Sequence, residues 1–256
     1  MAEEKKTNTM TRRKFIRNSS LLAGGAIGGG LLGTLIGANL NDDEKKQSSN
    51  GDTGVQGTNT KPTHNQALMY FTSKEDFEVL SAATERIFPE DETGPGAIQL
   101  GVPYFIDHQL AGNYGHNTRE YMQGPFYPGS DYQGYQTSLK RHQVFDEGIR
   151  GLKEYSQKKY KKKFTELEGE QQDAVLKDFE AGKVPLRGVT SKTFFSLLRS
   201  ATIEGAYADP VYGGNLNMEG WKMKNFPGHQ ASYAATIDSK EFKKIEPQSL
   251  QAYHQH

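Results

Sequence analysis

The chain has 256 residues, a hydrophobic share of 34% and a mean hydropathy of −0.76, so it can hold one ordinary domain while part of its length is too polar to fold. Its 31 basic and 31 acidic residues give a formal net charge of zero, which removes the overall attraction expected of a nucleic-acid-binding protein. It has no cysteine, which excludes disulfides, thiolate metal sites, cysteine-ligated iron–sulfur clusters, covalent haem and a lipid anchor on cysteine.

The first 40 residues have the layout of an export signal. A basic segment precedes the uncharged, glycine-rich stretch 21–40, which is the order of an n-region and an h-region. Arg12 and Arg13, with Phe15 two positions after the pair, match the twin-arginine pattern. We therefore predict a twin-arginine signal at residues 1–40 and a location on the outer face of the cytoplasmic membrane.

Two other interpretations of this segment are open. An uncharged stretch of about 20 residues is long enough to cross a bilayer, and an arginine pair near an N-terminus can arise by chance. Cleavage is also open, because no clear Ala-x-Ala site follows the stretch. If the segment is kept, it anchors the chain in the membrane with its basic flank in the cytoplasm.

The rest of the chain is predicted to be a flexible linker followed by one all-α domain. Residues 41–70 form the linker, which is mostly rich in Ser, Thr, Asn, Gly and charge and cannot bury enough apolar surface to order itself. In the domain, residues 71–229, apolar residues recur at helical spacing and no period-two run competes with them. Helices are predicted at about residues 74–88, 103–110, 137–160, 170–181 and 192–207, joined by long irregular loops.

Two of these helices carry further expectations. The helix at 192–207 is apolar on nearly all sides, which places it at the centre of the domain. The helix at 137–160 contains Gly148 and Gly151, each of which weakens it by about 1 kcal/mol unless another helix packs closely there.

Three polar or aromatic segments leave alternatives open. Residues 113–134 are aromatic and rich in glycine and proline, which suits either a contact surface or a loop packed back on the helices. The basic run Lys158–Lys163 is a solvated helix end or a membrane-surface contact, and nucleic acid is not expected. The polar tail at residues 230–256 hangs loose or lies over the surface.

No catalytic, cofactor-binding or metal-binding residues are found by pattern. The seven histidines lack ligand spacing, and neither a Gly-x-Ser-x-Gly motif nor a phosphate loop is present. The glycines at 24–30 lie in the export signal with no preceding strand, so they are not a dinucleotide fingerprint. Redox chemistry must therefore belong to a bound cofactor or a partner.

The most informative stretch is Asp209–Gly228, which contains the only tryptophan, Trp221. Its Asp-Pro, Gly-Gly and Pro-Gly pairs predict turns, and its asparagines can bond nearby backbone. Long ordered loops of this kind are often functional. A packed surface loop with a buried tryptophan is the alternative.

The spacing of this loop resembles that of the gluconate 2-dehydrogenase subunit 3 family. The resemblance rests on Tyr212-Gly213-Gly214-Asn215, then Gly220-Trp221, then Phe226-Pro227-Gly228. It extends to a helix ending in Phe88-Pro89 and to the sequence Val-Pro-Tyr-Phe-Ile-Asp at 102–107. In all it covers roughly residues 72–228.

The resemblance implies a non-catalytic small subunit of a membrane-associated sugar or sugar-acid dehydrogenase. Its expected partner is a large FAD-containing subunit of the glucose–methanol–choline type, which passes electrons to a cytochrome or a quinone. The small subunit would supply the export signal and stabilise the flavoprotein. The expected partner interface consists of Tyr212, Gly213, Gly214, Asn215, Gly220, Trp221, Phe226 and Pro227. A stand-alone membrane-tethered helical scaffold is the alternative, and an autonomous enzyme with an unseen cofactor is the least favoured.

Overall fold

The computed structural model describes residues 66–127, 129–130, 133–134, 136–234, 236–241 and 243–253. The predicted signal, with Arg12, Arg13 and Phe15, and most of the predicted linker lie outside these ranges. None of the helices within them has the length and apolar character needed to cross a bilayer.

The described residues form helices joined by loops and short 3₁₀ turns, with isolated bridges and no strand among them. The prediction of an all-α fold is therefore confirmed. The helices are α1 Lys74–Ile87, α2 Val102–Ala111, α3 Arg141–Tyr160, α4 Gly169–Glu180, α5 Ser191–Tyr207, α6 Glu219–Met223 and α7 Leu250–Tyr253.

Helix α5 lies at the centre of the domain, as its apolar composition predicts. It packs against α1, α2, α3 and α4, and Phe194, Leu198 and Ala206 are completely buried on it. Thr190 caps its start, because the Thr190 hydroxyl accepts a hydrogen bond from the Thr193 amide at 3.1 Å. This cap and the central packing fix the position of the C-terminal end of α5, from which the closing loop departs.

Helix α3 begins at Arg141 rather than at Thr137, so the predicted start was wrong. The Thr137 hydroxyl donates to the carbonyl of Gly188 at 2.7 Å, and it accepts from the Leu139 amide at 3.2 Å. These bonds hold residues 137–139 in a turn against the loop before α5. Because of this tertiary contact, the helix does not start where the helical periodicity predicts.

Close packing explains the glycines of α3: a neighbouring helix packs at Gly148, as the sequence allowed, and the loop between α4 and α5 packs at Gly151. A Cβ atom on Gly148 would overlap the ring of Phe194 on α5, and one on Gly151 would overlap Leu186. Phe194 is itself held between Phe145 and Phe179, with ring centroids 5.7 and 5.8 Å away. The ring therefore has no room to move aside.

We expect Gly148→Ala to destabilise the domain by about 2 kcal/mol. Alanine improves helix propensity by about 1 kcal/mol, but overpacking a rigid core costs about 1–3 kcal/mol, and the trapped Phe194 ring sets the cost at the upper end. Urea unfolding of both proteins measures the change. Gln157→Ala, at an exposed position of the same helix, is the control and should be neutral or stabilising. A stabilised Gly148→Ala protein would contradict the close packing.

The basic run Lys158–Lys163 at the end of α3 is partly used in ion pairs within the domain. Lys159 Nζ lies 2.7 Å from Asp178 on α4, and Lys163 Nζ lies 2.9 Å from Glu75 on α1. The run therefore helps to tie the ends of three helices together. A membrane-surface role for the remaining lysines stays a prediction.

Asp178 makes the stability of this junction depend on pH. Partial burial alone would raise its pKa, but hydrogen bonds from Lys159, Tyr155 and Lys183 outweigh this and lower the pKa below its ordinary value. When folding lowers the pKa of a carboxyl group, the charged group stabilises the folded state fully at a pH above its ordinary pKa, about 4 for aspartate. This stabilisation is lost as the pH falls through the folded-state pKa. We expect Asp178→Asn to lower the free energy of unfolding by about 1 kcal/mol at neutral pH and by progressively less as the pH falls through the folded-state pKa. A pH-independent difference would contradict this assignment.

The aromatic loop at residues 113–134 is partly packed on the domain and partly exposed, and the tail contacts the domain surface. Asn117 is buried and accepts the Arg141 amide at 2.8 Å, so the first part of the 113–134 loop packs back on the domain. Tyr121 and Tyr127 further along the loop are exposed.

In the tail, the backbone amide of His229 donates to the carbonyl of Gln248 at 2.8 Å. The tail therefore folds back and lies over the surface of the domain.

Candidate partner-binding site

Asn215 organises the closing loop from inside. It is completely buried and adopts a left-handed conformation with φ 47°, which asparagine tolerates better than most residues. Its amide nitrogen donates to the carbonyl of Ala208 at 2.8 Å, and its amide oxygen accepts from the Gly220 backbone at 2.7 Å. The side chain thus joins the end of α5 to the start of α6.

Trp221 is buried beneath the loop, with 5% of its surface exposed. Its indole nitrogen donates to the carbonyl of Tyr207 at 2.7 Å. The last carbonyls of a helix have no partner within that helix. At the end of α5 the carbonyls of Tyr207 and Ala208 are satisfied by Trp221 and Asn215, so the loop serves as the C-terminal cap of the central helix.

The glycines of the loop are required where its backbone meets α5. A Cβ atom on Gly214 would overlap the backbone of Gly205, and one on Gly220 would overlap the carbonyl of Ala206. Gly213 turns the chain with φ 92°, a conformation that favours glycine. These contacts hold the loop against the helix with no gap for a side chain.

The outward face of the loop carries aromatic side chains. Tyr212 is 53% exposed and Phe226 is 48% exposed. Phe226 packs on Trp221 with ring centroids 5.4 Å apart in an edge-to-face arrangement. Pro227 is half-buried, and its carbonyl accepts from the Gln248 amide at 3.1 Å.

The eight predicted interface residues therefore fall into two groups. Gly214, Asn215, Gly220 and Trp221 are buried and build the frame, as the alternative interpretation of a packed loop expects. The second group consists of Tyr212 and Phe226, which are exposed, and Gly213 and Pro227, which are half-buried. Partner contact by either group stays a prediction.

Asp209, the first residue of the loop, also holds the tail. Its carboxylate accepts from the Val211 amide at 3.0 Å, from the Ser249 hydroxyl at 2.6 Å and from the Leu250 amide at 2.9 Å. One side chain therefore fixes both the entry of the loop and the segment that leads into α7.

An open groove of about 530 Å³ runs beside the loop between α2 and α5. Its lining is mostly apolar. The sequence did not predict this groove, although one signal was present: apolar residues nearly encircle α5, more than its packing partners need to cover. In the structure two of them, Ile203 and Tyr207, are only half-buried. The lining residues are Phe105, Gln109, Ile203, Glu204, Tyr207, Ala208, Asp209 and Tyr212.

Glu204 is the acidic residue on the α5 wall of the groove. The apolar surroundings raise its pKa, and the positive charge of Arg141 lowers it in part. Arg141 is engaged elsewhere, because its guanidinium lies 2.7 Å from Glu120 and donates to the carbonyl of Tyr114 at 3.2 Å.

The chain enters the domain close to this groove, held by Asp107 of α2. The completely buried carboxylate of Asp107 accepts from the backbone amides of Met69, Tyr70 and Phe71 at 2.5, 3.1 and 2.8 Å. On the next position of α2, His108 Nε2 lies 3.0 Å from the carbonyl of Ala67. The last residues before the domain are therefore fixed against α2.

A second group of titratable side chains joins the entry segment to α3. The Tyr70 hydroxyl donates to Asp146 at 2.7 Å, and the rings of His116 and His142 are 4.7 Å apart. Desolvation raises the pKa of Asp146, and desolvation with the charge of His116 lowers the pKa of His142. No group of three or more His, Asp or Glu side chains in the described part of the chain is arranged to hold a metal ion.

Together these features define a small helical domain whose most constrained element is a glycine-dependent aromatic loop beside an apolar groove. Residues 74–228 match the sequence model of the family described as gluconate 2-dehydrogenase subunit 3. The match covers more than half of the chain, and the chain belongs to this family. The family is named for one subunit of a multi-subunit gluconate dehydrogenase. No curated protein and no solved structure matches the chain.

Proposed function

We propose that the chain is the non-catalytic small subunit of a membrane-associated, FAD-dependent dehydrogenase of the gluconate type. In this role it carries the twin-arginine signal for the complex and stabilises the flavoprotein subunit. The observation that carries the proposal is the rigid closing loop, which lies at the end of the family match and presents Tyr212 and Phe226 outward.

Preorganisation makes the loop suitable for binding a protein. Asn215, Trp221 and the close glycine contacts fix the backbone before any partner arrives. The loop therefore loses little conformational freedom when a partner binds. Exposed aromatic side chains on a rigid support are the usual anchors of protein interfaces.

The absence of cofactor motifs in the sequence supports assigning the redox chemistry to a different subunit. We assign the flavin and the oxidation of a sugar or sugar acid to a large subunit of the glucose–methanol–choline type. Electrons then pass from that subunit to a cytochrome or a quinone. The present chain supplies the signal at Arg12 and Arg13 and a binding surface.

The proposal is tested by purifying the tagged full-length chain from the membranes of its own host in mild detergent. We expect a larger flavin-containing protein in equal amount, with gluconate or sugar-dependent dye reduction. A colourless chain without a flavoprotein would favour the stand-alone scaffold. Flavin and turnover in the chain expressed alone would instead make it an enzyme. Either result would overturn the proposal.

Tyr212→Ala is expected to weaken flavoprotein binding by about tenfold or more, because interface aromatics are frequent hot spots. The melting temperature should stay close to that of the wild type, since Tyr212 is 53% exposed. Titration of the flavoprotein with labelled chain measures the affinity. Tyr233→Ala, at a similarly exposed position in the tail, is the matched control. Equal loss in both variants would contradict a specific role for Tyr212.

A further inference from the structure

We propose that the groove between α2 and α5 receives a segment of the flavoprotein subunit in which an apolar side chain stands next to a lysine or arginine. This inference rests on the proposed function and specifies the surface through which that function operates. It is carried by the half-buried apolar residues of the central helix along the groove and by the exposed carboxylate of Glu204 beside them.

The apolar part of the argument starts from α5. Apolar side chains of a helix normally lie on the side that packs against the rest of the domain. The solvent side of α5 carries exposed polar residues such as Ser200 and Glu204. On that side Ile203 and Tyr207 are apolar but only half-buried, next to the buried groove residue Phe105. An apolar side chain of a partner would remove this remaining strip from water.

The groove continues into exposed apolar surface on both sides. Val211 and Tyr212 at one end are 47% and 53% exposed. On the side of α2, His108 is close to Gly213 and contacts the entry segment, where Leu68 and Met69 are 40% and 59% exposed. A stable interface needs about 800 Å² from each partner, and these exposed side chains near the groove would add to the contact area.

The charge of the groove selects the occupant. Glu204 is exposed on the groove wall and has no ion pair within the described residues, and its partial desolvation raises its pKa. Asp209, the other acidic lining residue, is already bonded to Ser249 and Leu250. No basic residue lines the groove. A lysine or arginine of the incoming segment would neutralise Glu204 in a site where water is being displaced.

The same charges argue against a second copy of this chain as the occupant. In a symmetric pair the same patch faces itself, so Glu204 and Asp209 would meet their own equivalents without a basic partner from the lining. Like charges brought together in this way oppose association.

The test compares the affinities of full-length variants for the flavoprotein subunit isolated from the wild-type complex. Ile203→Asp places a charge on the apolar wall of the groove. Glu204→Lys reverses the charge that we expect to attract the basic residue of the flavoprotein segment. Glu204→Gln removes the charge with little change in shape. Ile98→Asp, at an exposed position outside the groove lining, and Glu92→Lys, in an exposed loop, are the matched controls.

We expect binding to weaken by about tenfold or more in Ile203→Asp and Glu204→Lys, and by a smaller factor in Glu204→Gln. The controls should bind as the wild type does, and melting temperatures identify any variant that fails to fold. If the wild type binds the flavoprotein and both groove variants bind it equally well, the groove inference is wrong while the proposed function stands. If the wild type does not bind it, the proposed function fails first.

Two further measurements identify the occupant. A photo-cross-linking amino acid at Gln109, in the groove wall, should attach to a flavoprotein peptide that contains lysine or arginine beside an apolar residue. A cross-linked peptide with no basic residue would overturn the charge argument. A wild-type chain that is dimeric alone and becomes monomeric as Ile203→Asp would show that a second copy fills the groove, which would also overturn the proposal.

Discussion

Replacing Trp221 by alanine is expected to lower the free energy of unfolding by about 3–5 kcal/mol, the range for truncating a large buried aromatic residue. The change empties the space under the closing loop and leaves the carbonyl of Tyr207 without its indole donor. An unsatisfied buried carbonyl adds to the loss of packing. Urea unfolding followed by circular dichroism measures the change, because tryptophan fluorescence is absent from the variant.

Phe226→Ala is the control for this prediction. Phe226 packs on Trp221 but is 48% exposed, so its removal should cost about 1 kcal/mol. The difference in stability between the two variants therefore distinguishes a residue that supports the loop from inside from a residue on its exposed surface. A Trp221→Ala protein with wild-type stability that no longer binds the flavoprotein would show that the tryptophan is an interface anchor and not part of the frame.

The second large effect concerns export. If the proposed function is right, changing Arg12 and Arg13 together to lysine retains both this chain and the proposed flavoprotein partner in the cytoplasm, with nearly complete loss of both from the outer face of the membrane. The substitution keeps the positive charge, so any loss reflects recognition of the arginine pair and not of basicity. Fractionation with antibodies to both subunits, together with dehydrogenase activity in intact cells, measures the result.

Arg17→Lys is the matched control, since it makes the same chemical change outside the pair and should leave export unchanged. The outcome for the partner decides the escort role. If this chain is retained while the flavoprotein still reaches the outer face, the flavoprotein has its own route and the escort role is wrong. If both are exported, the pair is not the signal.

Much of the helical fold could be predicted from the sequence because its signals are local. Thr190 caps α5, and the apolar positions of that helix correctly placed it at the centre. The start of α3 was wrong, because Thr137 is held by Gly188, a residue distant in the chain. Periodicity describes one helix at a time and does not register a bond of this kind.

The candidate site was predictable only in part for the same reason. The turn residues marked the closing loop, and the family spacing indicated where it ends. The spacing could not decide whether Trp221 is buried; the structure shows that its indole lies beneath the loop. The groove is formed by residues such as Phe105 and Ile203 from separate helices, so only packing brings its walls together.

The grip of Asp107 on the backbone at Met69–Phe71 has a mechanical consequence. If the N-terminal segment is fixed in a membrane, a force along that segment reaches the domain mainly at α2, where Asp107 binds three backbone amides and His108 contacts the Ala67 carbonyl. A second contact, from Tyr70 to Asp146, carries part of the force to α3. Because α2 also forms one side of the groove, a protein bound in the proposed site would be mechanically connected to the N-terminal segment through that helix.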